Sequence, residues 1–305
     1  MKTTIMLPFD NIAAGEEFCG PDAVAEIARR VDASAFYACG VTDHPCPTGR
    51  WLDAGGHYAQ DPFVMLSLVA AHTRRVRLQT AVLVIPYRNP FITVRAVNAL
   101  DYNSGGRVIL GMGAGYLKGE YRALGVDFDA RNDLADEYLG AMKAAWGEDE
   151  FSFEGTGYSA RGNRILPRPA QQPHPPLWLG GNSKRAIRRA VDYGDAWLPF
   201  YTPPNSQVAA TARTATLAGN EDLAAGILYM KEYAEKVGKP VPAISVEGLG
   251  PSTPDWHPQA EIDRIGALAD MGVTCVGASV PGDSRAQWCA NMERYSEEVS
   301  AVVAD

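Results

Sequence analysis

The sequence predicts an α/β fold, a closed (β/α)8 barrel of the TIM type, running as one domain through residues 1–305. Three observations predict it. Residues 76–115 read as a complete strand–helix–strand unit, similar units recur along the whole chain, and no Pro/Ser-rich linker divides them. Eight such units in about 300 residues favour a closed barrel over an open doubly wound sheet. The units show no self-similarity that would suggest a solenoid.

The 76–115 unit is the clearest. Leu78 to Ile85 and Val108 to Met112 are apolar without alternation, as in parallel strands covered on both faces. Between them, Asn89-Pro90 starts a helix, an acceptor side chain followed by proline at the first turn. Ile92, Ala96 and Ala99, with Val97 and Leu100 beside them, repeat at helical steps. Ser104-Gly105-Gly106 then supplies a left-handed closing residue.

Before this unit, Thr3 to Phe9 is a first strand, and Pro21-Asp22 opens a helix with Val24, Ile27, Ala28 and Val31 inward. Phe36 to Thr42 is a second strand that delivers Asp43-His44 at its C-terminal end. Asp61-Pro62 starts a helix whose apolar face is expected to be Val64, Leu68 and Ala71.

After the unit comes a long excursion between strands four and five. It holds a helix over 131–146, carrying Leu134, Tyr138, Leu139 and Met142. The Pro- and Gly-rich segment 151–176 follows, expected to be a loop that covers a site. Strand five is Leu177 to Leu179, with a helix from near Ser183, and strand six is Asp195 to Phe200. The loop YTPPNSQ and a helix from about Glu221 to Val237 come next. Strands seven and eight are Ala243 to Glu247 and Val273 to Ser279, separated by a helix from Ala260 to Met271. A last helix begins near Ser284.

Composition sets the outer limits. A hydrophobic content of 46% with 21% charged residues describes an ordinary globular protein with ample core. The net charge of −8 argues against nucleic-acid and anionic membrane surfaces as partners. Five scattered cysteines without zinc spacing read as reduced thiols in the cytoplasm. No secretory leader opens the sequence, and no apolar run reaches the roughly 20 residues needed to span a bilayer.

In a barrel the chemistry sits where strands end. His44, beside Asp43, has the side chain whose ordinary pKa suits acid–base work near neutrality; its plain alternative is a histidine anchoring its own turn. The run Gly111-Met112-Gly113-Ala114-Gly115 either lets a flat ligand or a phosphate approach the backbone or serves tight packing. It fails as G-x-G-x-x-G, because Tyr116 takes the sixth position. Gly180-Gly181-Asn182-Ser183 precedes a helix and reads as a phosphate site, with Lys184, Arg185, Arg188 and Arg189 adding charge nearby. Phe151, Phe153 and Tyr158, together with Trp51 and His57, either wall a substrate cavity or pack loops. The KEYAEKVGK run is a solvated helix face. No cluster of acids and histidines suggests a metal.

Taken together, VTDHP, DPFVMLSLVAAHTRRVRLQTAVLVIPYRNP, LDYNSGGRVILGMGAGYLKGEYRALGVDF, LPRPAQQPHPPLWLGGNS and YGDAWLP resemble the bacterial luciferase-like monooxygenase superfamily. The closer likeness is to its coenzyme F420-dependent oxidoreductase branch. The resemblance implies a flavin or deazaflavin at the barrel's C-terminal mouth. By position it implies Asp43 and His44 near the reactive ring and a non-prolyl cis peptide at Ala81-Val82, with Leu83, as a bulge behind it. It also implies Gly113, Ala114, Gly115 and Tyr116 along the cofactor's tail, and Gly180, Gly181, Asn182 and Ser183 against its phosphate. Tyr116 and Gly119 depart from the acidic and amide residues of the sugar-phosphate dehydrogenase members, which argues against that substrate.

The function expected from this resemblance is F420-dependent hydride transfer with a small organic molecule. In that reading Asp43 orients His44, and His44 moves the accompanying proton. Two alternatives stay open: an FMN-dependent (FMNH2) monooxygenase that needs a partner flavin reductase, and a flavin-binding protein without turnover. Family habit favours a homodimer.

Overall fold

The computed structural model describes residues 1–202, 215–251, 253 and 255–304. The YTPPNSQ loop expected after strand six lies almost wholly outside them.

Outside the 81–87 and 151–163 segments, the strands and helices of the sequence reading are present in kind, with their ends shifted by a few residues. The barrel strands are β1 (Lys2–Met6), β2 (Ala38–Val41), β3 (Arg77–Thr80), β4 (Leu83–Val84) and β5 (Val108–Gly113) in the first half. A hairpin supplies β6 (Phe151–Gly155) and β7 (Tyr158–Asn163). The second half contributes β8 (Leu177–Gly180), β9 (Ala196–Leu198), β10 (Ala243–Leu249) and β11 (Cys275–Ala278). Parallel pairing runs β3-β2-β1-β11-β10-β9-β8-β5-β4, and a further β3–β5 pairing, Leu78 opposite Val108, closes the sheet. Because β4 continues β3 beyond Ala81-Val82, the closed sheet has eight staves.

The lumen is filled from several strands at once. Ala38, Ile109, Trp178, Ala196, Leu198 and Cys275 form one buried cluster, and only the inside of a barrel brings five strands to a common point. A second, larger core lies between the strands and the helices around them.

The helices that position the site are α1 (Pro21–Ala33), α2 (Gly49–Asp53), α3 (Pro62–His72), α4 (Pro90–Ser104), α5 (Lys118–Ala123), α6 (Arg131–Gly147) and α7 (Lys184–Tyr193). Their starts are set by the expected caps. The Asp61 carboxylate accepts from the amides of Phe63 and Val64, and the Asn89 side chain accepts from that of Phe91. Gly105 closes α4 with φ 72°. Three further helices, α8 (Asn220–Val237), α9 (Pro258–Asp270) and α10 (Arg285–Tyr295), complete the outer layer.

The structure corrects four expectations. On α3 the inward residues are Pro62, Met65, Leu66 and Val69, whereas Val64 and Leu68 face outward. That helix is apolar all round, so spacing alone could not fix which side meets the core. On α4, Ile92 is likewise exposed, and Thr93, Val94, Val97 and Leu100 point in. The run Leu78 to Ile85 is not one strand: it breaks at the cis Ala81-Val82 peptide and ends in a 3-10 turn over Ile85–Tyr87. Finally, residues 151–163 form an antiparallel hairpin, not a loop over a site. Phe91 packs against Phe151 and Tyr158, and Tyr138 against Tyr158, so the hairpin's aromatics seal the outer faces of α4 and α6.

Candidate active site

Two residues beyond β2 the chain places Asp43 and His44, both buried, at the C-terminal mouth. They do not act on one another. The Asp43 carboxylate receives two hydrogen bonds from Arg88, 2.6 Å from Nη1 and 2.8 Å from Nη2, and a third from the Val84 amide at 3.0 Å. Arg88 also lies 3.5 Å from Asp61, the cap of α3. Asp43 therefore braces the segment that follows the Ala81-Val82 bulge, and the expectation that it orients His44 is corrected. Its two carboxylate oxygens are taken up by the guanidinium, in a two-point charge-assisted contact, and by a backbone amide.

The partner of His44 is Glu120, on α5. Glu120 Oε2 lies 3.3 Å from His44 Nδ1 and accepts a 2.9 Å hydrogen bond from the Tyr87 hydroxyl. Its Oε1 accepts from the Cys46 amide at 3.3 Å. Burial and the adjacent Glu120 charge push the Tyr87 phenol far above its ordinary range, so it stays a donor. An ionised carboxylate only accepts, so Nδ1 of His44 carries the proton and Nε2 is the nitrogen that can meet a substrate. Sequence reading missed Glu120. Its one signal was an acid in the first turn of a short helix, where the helix dipole alone favours such a residue.

Three more rings surround His44. Trp51 lies 4.8 Å away, His57 4.8 Å away and edge-on, and Tyr116 6.0 Å away, all between ring centroids. Thr48 sets Trp51 in place. It caps α2 by accepting from the Trp51 amide, and its methyl packs so closely on Gly119 that a Cβ there would come within 2.4 Å. Burial pushes the Tyr116 phenol up to about 12, with Glu120 adding to the effect. Burial pulls His57 down to about 4, and the neighbouring His44 pulls it in the same direction against Glu120. Asp10, just after β1, is raised by burial, while its own and Asn11's backbone amides and His44 oppose the rise. Of the aromatics considered from sequence, Trp51 and His57 thus belong to the site. Phe151, Phe153 and Tyr158 belong to the outer layer.

The floor beside this cluster is built by glycine. A Cβ on Gly113 would meet Val82 Cγ2 at 3.3 Å, and one on Gly180 would meet Val82 Cγ1 at 3.5 Å. The two glycines therefore flank the bulge without side chains above it. Gly111 serves packing instead: a Cβ there would lie 2.0 Å from the Thr80 carbonyl. Gly115 has φ +68° and sits against Val84, with the Tyr121 hydroxyl donating to the Ala114 carbonyl just before it. Leu83 is buried in the core, so of the predicted 81–83 group only Ala81 and Val82 lie at the floor.

The 180–183 turn joins β8 to α7. Ser183 caps the helix by accepting from the Ala186 amide, and Asn182 exchanges two hydrogen bonds with the backbone of Phe200. Asn182 thus pins strand β9 to the turn, and the anion-attracting groups are the first amides of α7. The basic residues counted on nearby are committed elsewhere. Arg185 pairs with Asp133 and Asp136, Arg189 with Asp136, and Arg188 donates to Tyr229, over whose ring Lys184 lies. Among the described residues, no group of His, Cys, Asp and Glu is placed to hold a metal, and no helix is long and apolar enough to cross a membrane.

A closed parallel barrel with an imidazole–carboxylate pair and a glycine floor at its C-terminal mouth defines a barrel enzyme scaffold. The luciferase-like monooxygenase family profile matches residues 1–226, and the chain belongs to that family. An FMNH(2)-dependent dimethylsulfone monooxygenase of Pseudomonas putida is 33% identical over 143 residues, 46% of this chain and 38% of that protein. The chain therefore spans well under half of that relative's length. The F420-dependent glucose-6-phosphate dehydrogenase of Beutenbergia cavernae is 29% identical over 336 aligned positions, covering 96% of each chain. Among solved structures, the monooxygenase RslO1 from Streptomyces bottropensis superposes with a TM-score of 0.82 at 19% identity, over 99% of this chain and 100% of that one. That likeness is one of fold.

The residues present fit a flat, flavin-type ring. Gly113 and Gly180 put no side chain of their own against Val82, and the buried nitrogens Trp51 Nε1 and His57 Nε2 have no hydrogen-bond partner.

Proposed function

We propose that this chain is a coenzyme F420-dependent oxidoreductase that moves hydride between deazaflavin C5 and a small organic substrate. The observation that carries the reading is the buried His44–Glu120 pair at the barrel mouth, next to a floor shaped for a flat ring. The likeness over 96% of both chains to an F420-dependent enzyme supports F420 over FMN.

Bound F420 would supply the hydride chemistry, and the protein's share is orientation, water exclusion and proton handling. His44 holds or accepts the substrate proton at Nε2, because Nδ1 faces Glu120. Glu120, anchored by Tyr87 and the Cys46 amide, fixes which nitrogen that is. Asp43 and Arg88 hold the segment after Val82, the Gly113–Tyr116 stretch borders the cofactor's tail, and the first amides of α7 at Ser183 receive its phosphate. A glucose phosphate is not the substrate in this reading, because the half-buried Tyr116 ring lies edge-on to His44 and the Thr48 methyl packs on Gly119.

The active form is a homodimer built on the outer faces of α3 and α4. Val64 is 59% and Leu68 45% exposed, one turn apart on α3, and Ile92 is 58% and Tyr102 60% exposed on α4, on helices whose inner faces are already apolar. The two helices pack on one another, and their exposed apolar residues are the face that a second copy would cover.

Equilibrium binding of F420 and of FMN, followed by tryptophan fluorescence, tests the cofactor. Tight F420 and weak FMN binding supports the reading. The reverse result, with oxygen consumption coupled to product, points to an FMNH2-dependent monooxygenase served by a flavin reductase. Binding of neither removes the phosphate-turn assignment.

A further inference from the structure

The ring cluster at the mouth contains a second histidine that the proposed proton transfer does not use. Its position is tightly determined. Gly56 donates to the Trp51 carbonyl at 2.9 Å, and a Cβ on Gly56 would run into the Trp51 ring at 2.4 Å. The chain thus turns back on α2 and lays His57 against both Trp51, at 5.4 Å between centroids, and His44. Three rings form a near-regular triangle with sides of 4.8, 4.8 and 5.4 Å.

Two nitrogens in that triangle, Trp51 Nε1 and His57 Nε2, are buried and have no partner. A buried polar group without a partner is costly, so each such nitrogen at a candidate site calls for a use. The indole nitrogen can only donate. The His57 imidazole is neutral near pH 7, since burial and His44 hold it down to about 4, and a neutral imidazole donates from one nitrogen. Neither nitrogen is needed to hold the fold, because neither is hydrogen-bonded to it.

We propose that His57, in the tautomer protonated at Nε2 and with its ring packed on Trp51, is a substrate-binding residue that donates to an oxygen of the substrate and so selects carbonyl or alcohol compounds over hydrocarbons of the same shape. The inference rests on the proposed reading only in placing the substrate against His44. A site with an unmet donor rejects a molecule that lacks the acceptor, because the donor then stays buried and unpaired.

The test compares binding of 2-butanone, cyclohexanone and acetophenone with their methylene counterparts, in which =CH2 replaces =O, to the protein loaded with F420 and separately with FMN. His57→Phe keeps the ring and removes the nitrogens, whereas His57→Gln places an amide nitrogen near the position of Nε2. The expected result is that at least one ketone binds about tenfold more tightly than its methylene counterpart. His57→Phe should remove most of that preference, and His57→Gln should restore it. Equal binding of ketone and methylene forms, absence of ketone binding, or equal weakening of both by His57→Phe overturns the proposal. F420 binding without ketone discrimination sinks only the role of His57. Discrimination with FMN but no F420 binding sinks only the cofactor reading.

Discussion

His44 and Glu120 are 76 residues apart in sequence and 3.3 Å apart in the folded chain. The contact is made between the end of β2 and the helix after β5, with the Tyr87 hydroxyl on the same carboxylate oxygen. It gives His44 one committed nitrogen and one that faces the site, which is what a directed proton transfer requires.

Removing either end of that contact should therefore separate chemistry from binding. His44→Ala is expected to lower turnover by about 10²–10⁴-fold, the usual worth of a general acid or base, with cofactor affinity unchanged. Glu120→Gln should lower turnover by about 10²-fold and shift the pH–rate profile, since the amide can no longer hold a protonated Nδ1 through charge. Single-turnover kinetics beside cofactor titration checks both. Unchanged turnover in His44→Ala would end its assignment.

Asp43 should behave differently from its neighbour. Asp43→Ala leaves the Arg88 guanidinium without its buried partner, which costs about 3–5 kcal/mol. The expected phenotype is a lower urea midpoint and weaker cofactor binding, as the segment after Val82 loses its brace. Denaturation with full retention of stability would show that Arg88 finds Asp61 sufficient.

The turn before α7 gives a cofactor-specific test. Gly181 has φ +124°, and a Cβ there would come within 2.8 Å of Ala186. Gly181→Ala should displace the helix start and weaken F420 binding by about tenfold, a loss of about 1.4 kcal/mol. A phosphate-free deazaflavin should bind the variant as well as it binds the wild type. Equal losses for both ligands would take the phosphate away from this turn.

His57 also predicts how stability depends on acid. Its folded pKa is about 4, below the ordinary 6.5, so the unfolded chain binds the proton more readily. Its contribution is present in full above 6.5 and is lost as pH falls toward 4. The groups around it are His44, which opposes its protonation, and Glu120, which favours it. Urea midpoints measured from pH 7 to pH 4 should fall, and His57→Gln should flatten part of that slope.

The outward apolar face makes a prediction about assembly. Val64→Glu with Leu68→Glu should leave the core residues Met65, Leu66 and Val69 untouched and yield a folded monomer by light scattering. A wild-type protein that is already monomeric at micromolar concentration would overturn the dimer.

The sequence by itself determined the barrel, its helix starts at Asp61, Asn89 and Ser183, the glycine stop at Gly105, and the delivery of Asp43-His44 to a strand end. These are local matters: a cap, a turn or a buried strand is decided by residues within a few positions of one another. Family likeness placed the Ala81-Val82 bulge correctly as well. Only the tertiary structure decided who meets whom. It gave Asp43 to Arg88, His44 to Glu120, and Arg185 and Arg189 of α7 to Asp133 and Asp136. It also turned Val64 and Leu68 outward on a helix apolar on every side. Charges pair, and apolar faces choose their side, through contacts between segments distant in sequence. A periodic pattern shows that a residue is apolar or charged, and it takes the closed barrel to show what stands opposite.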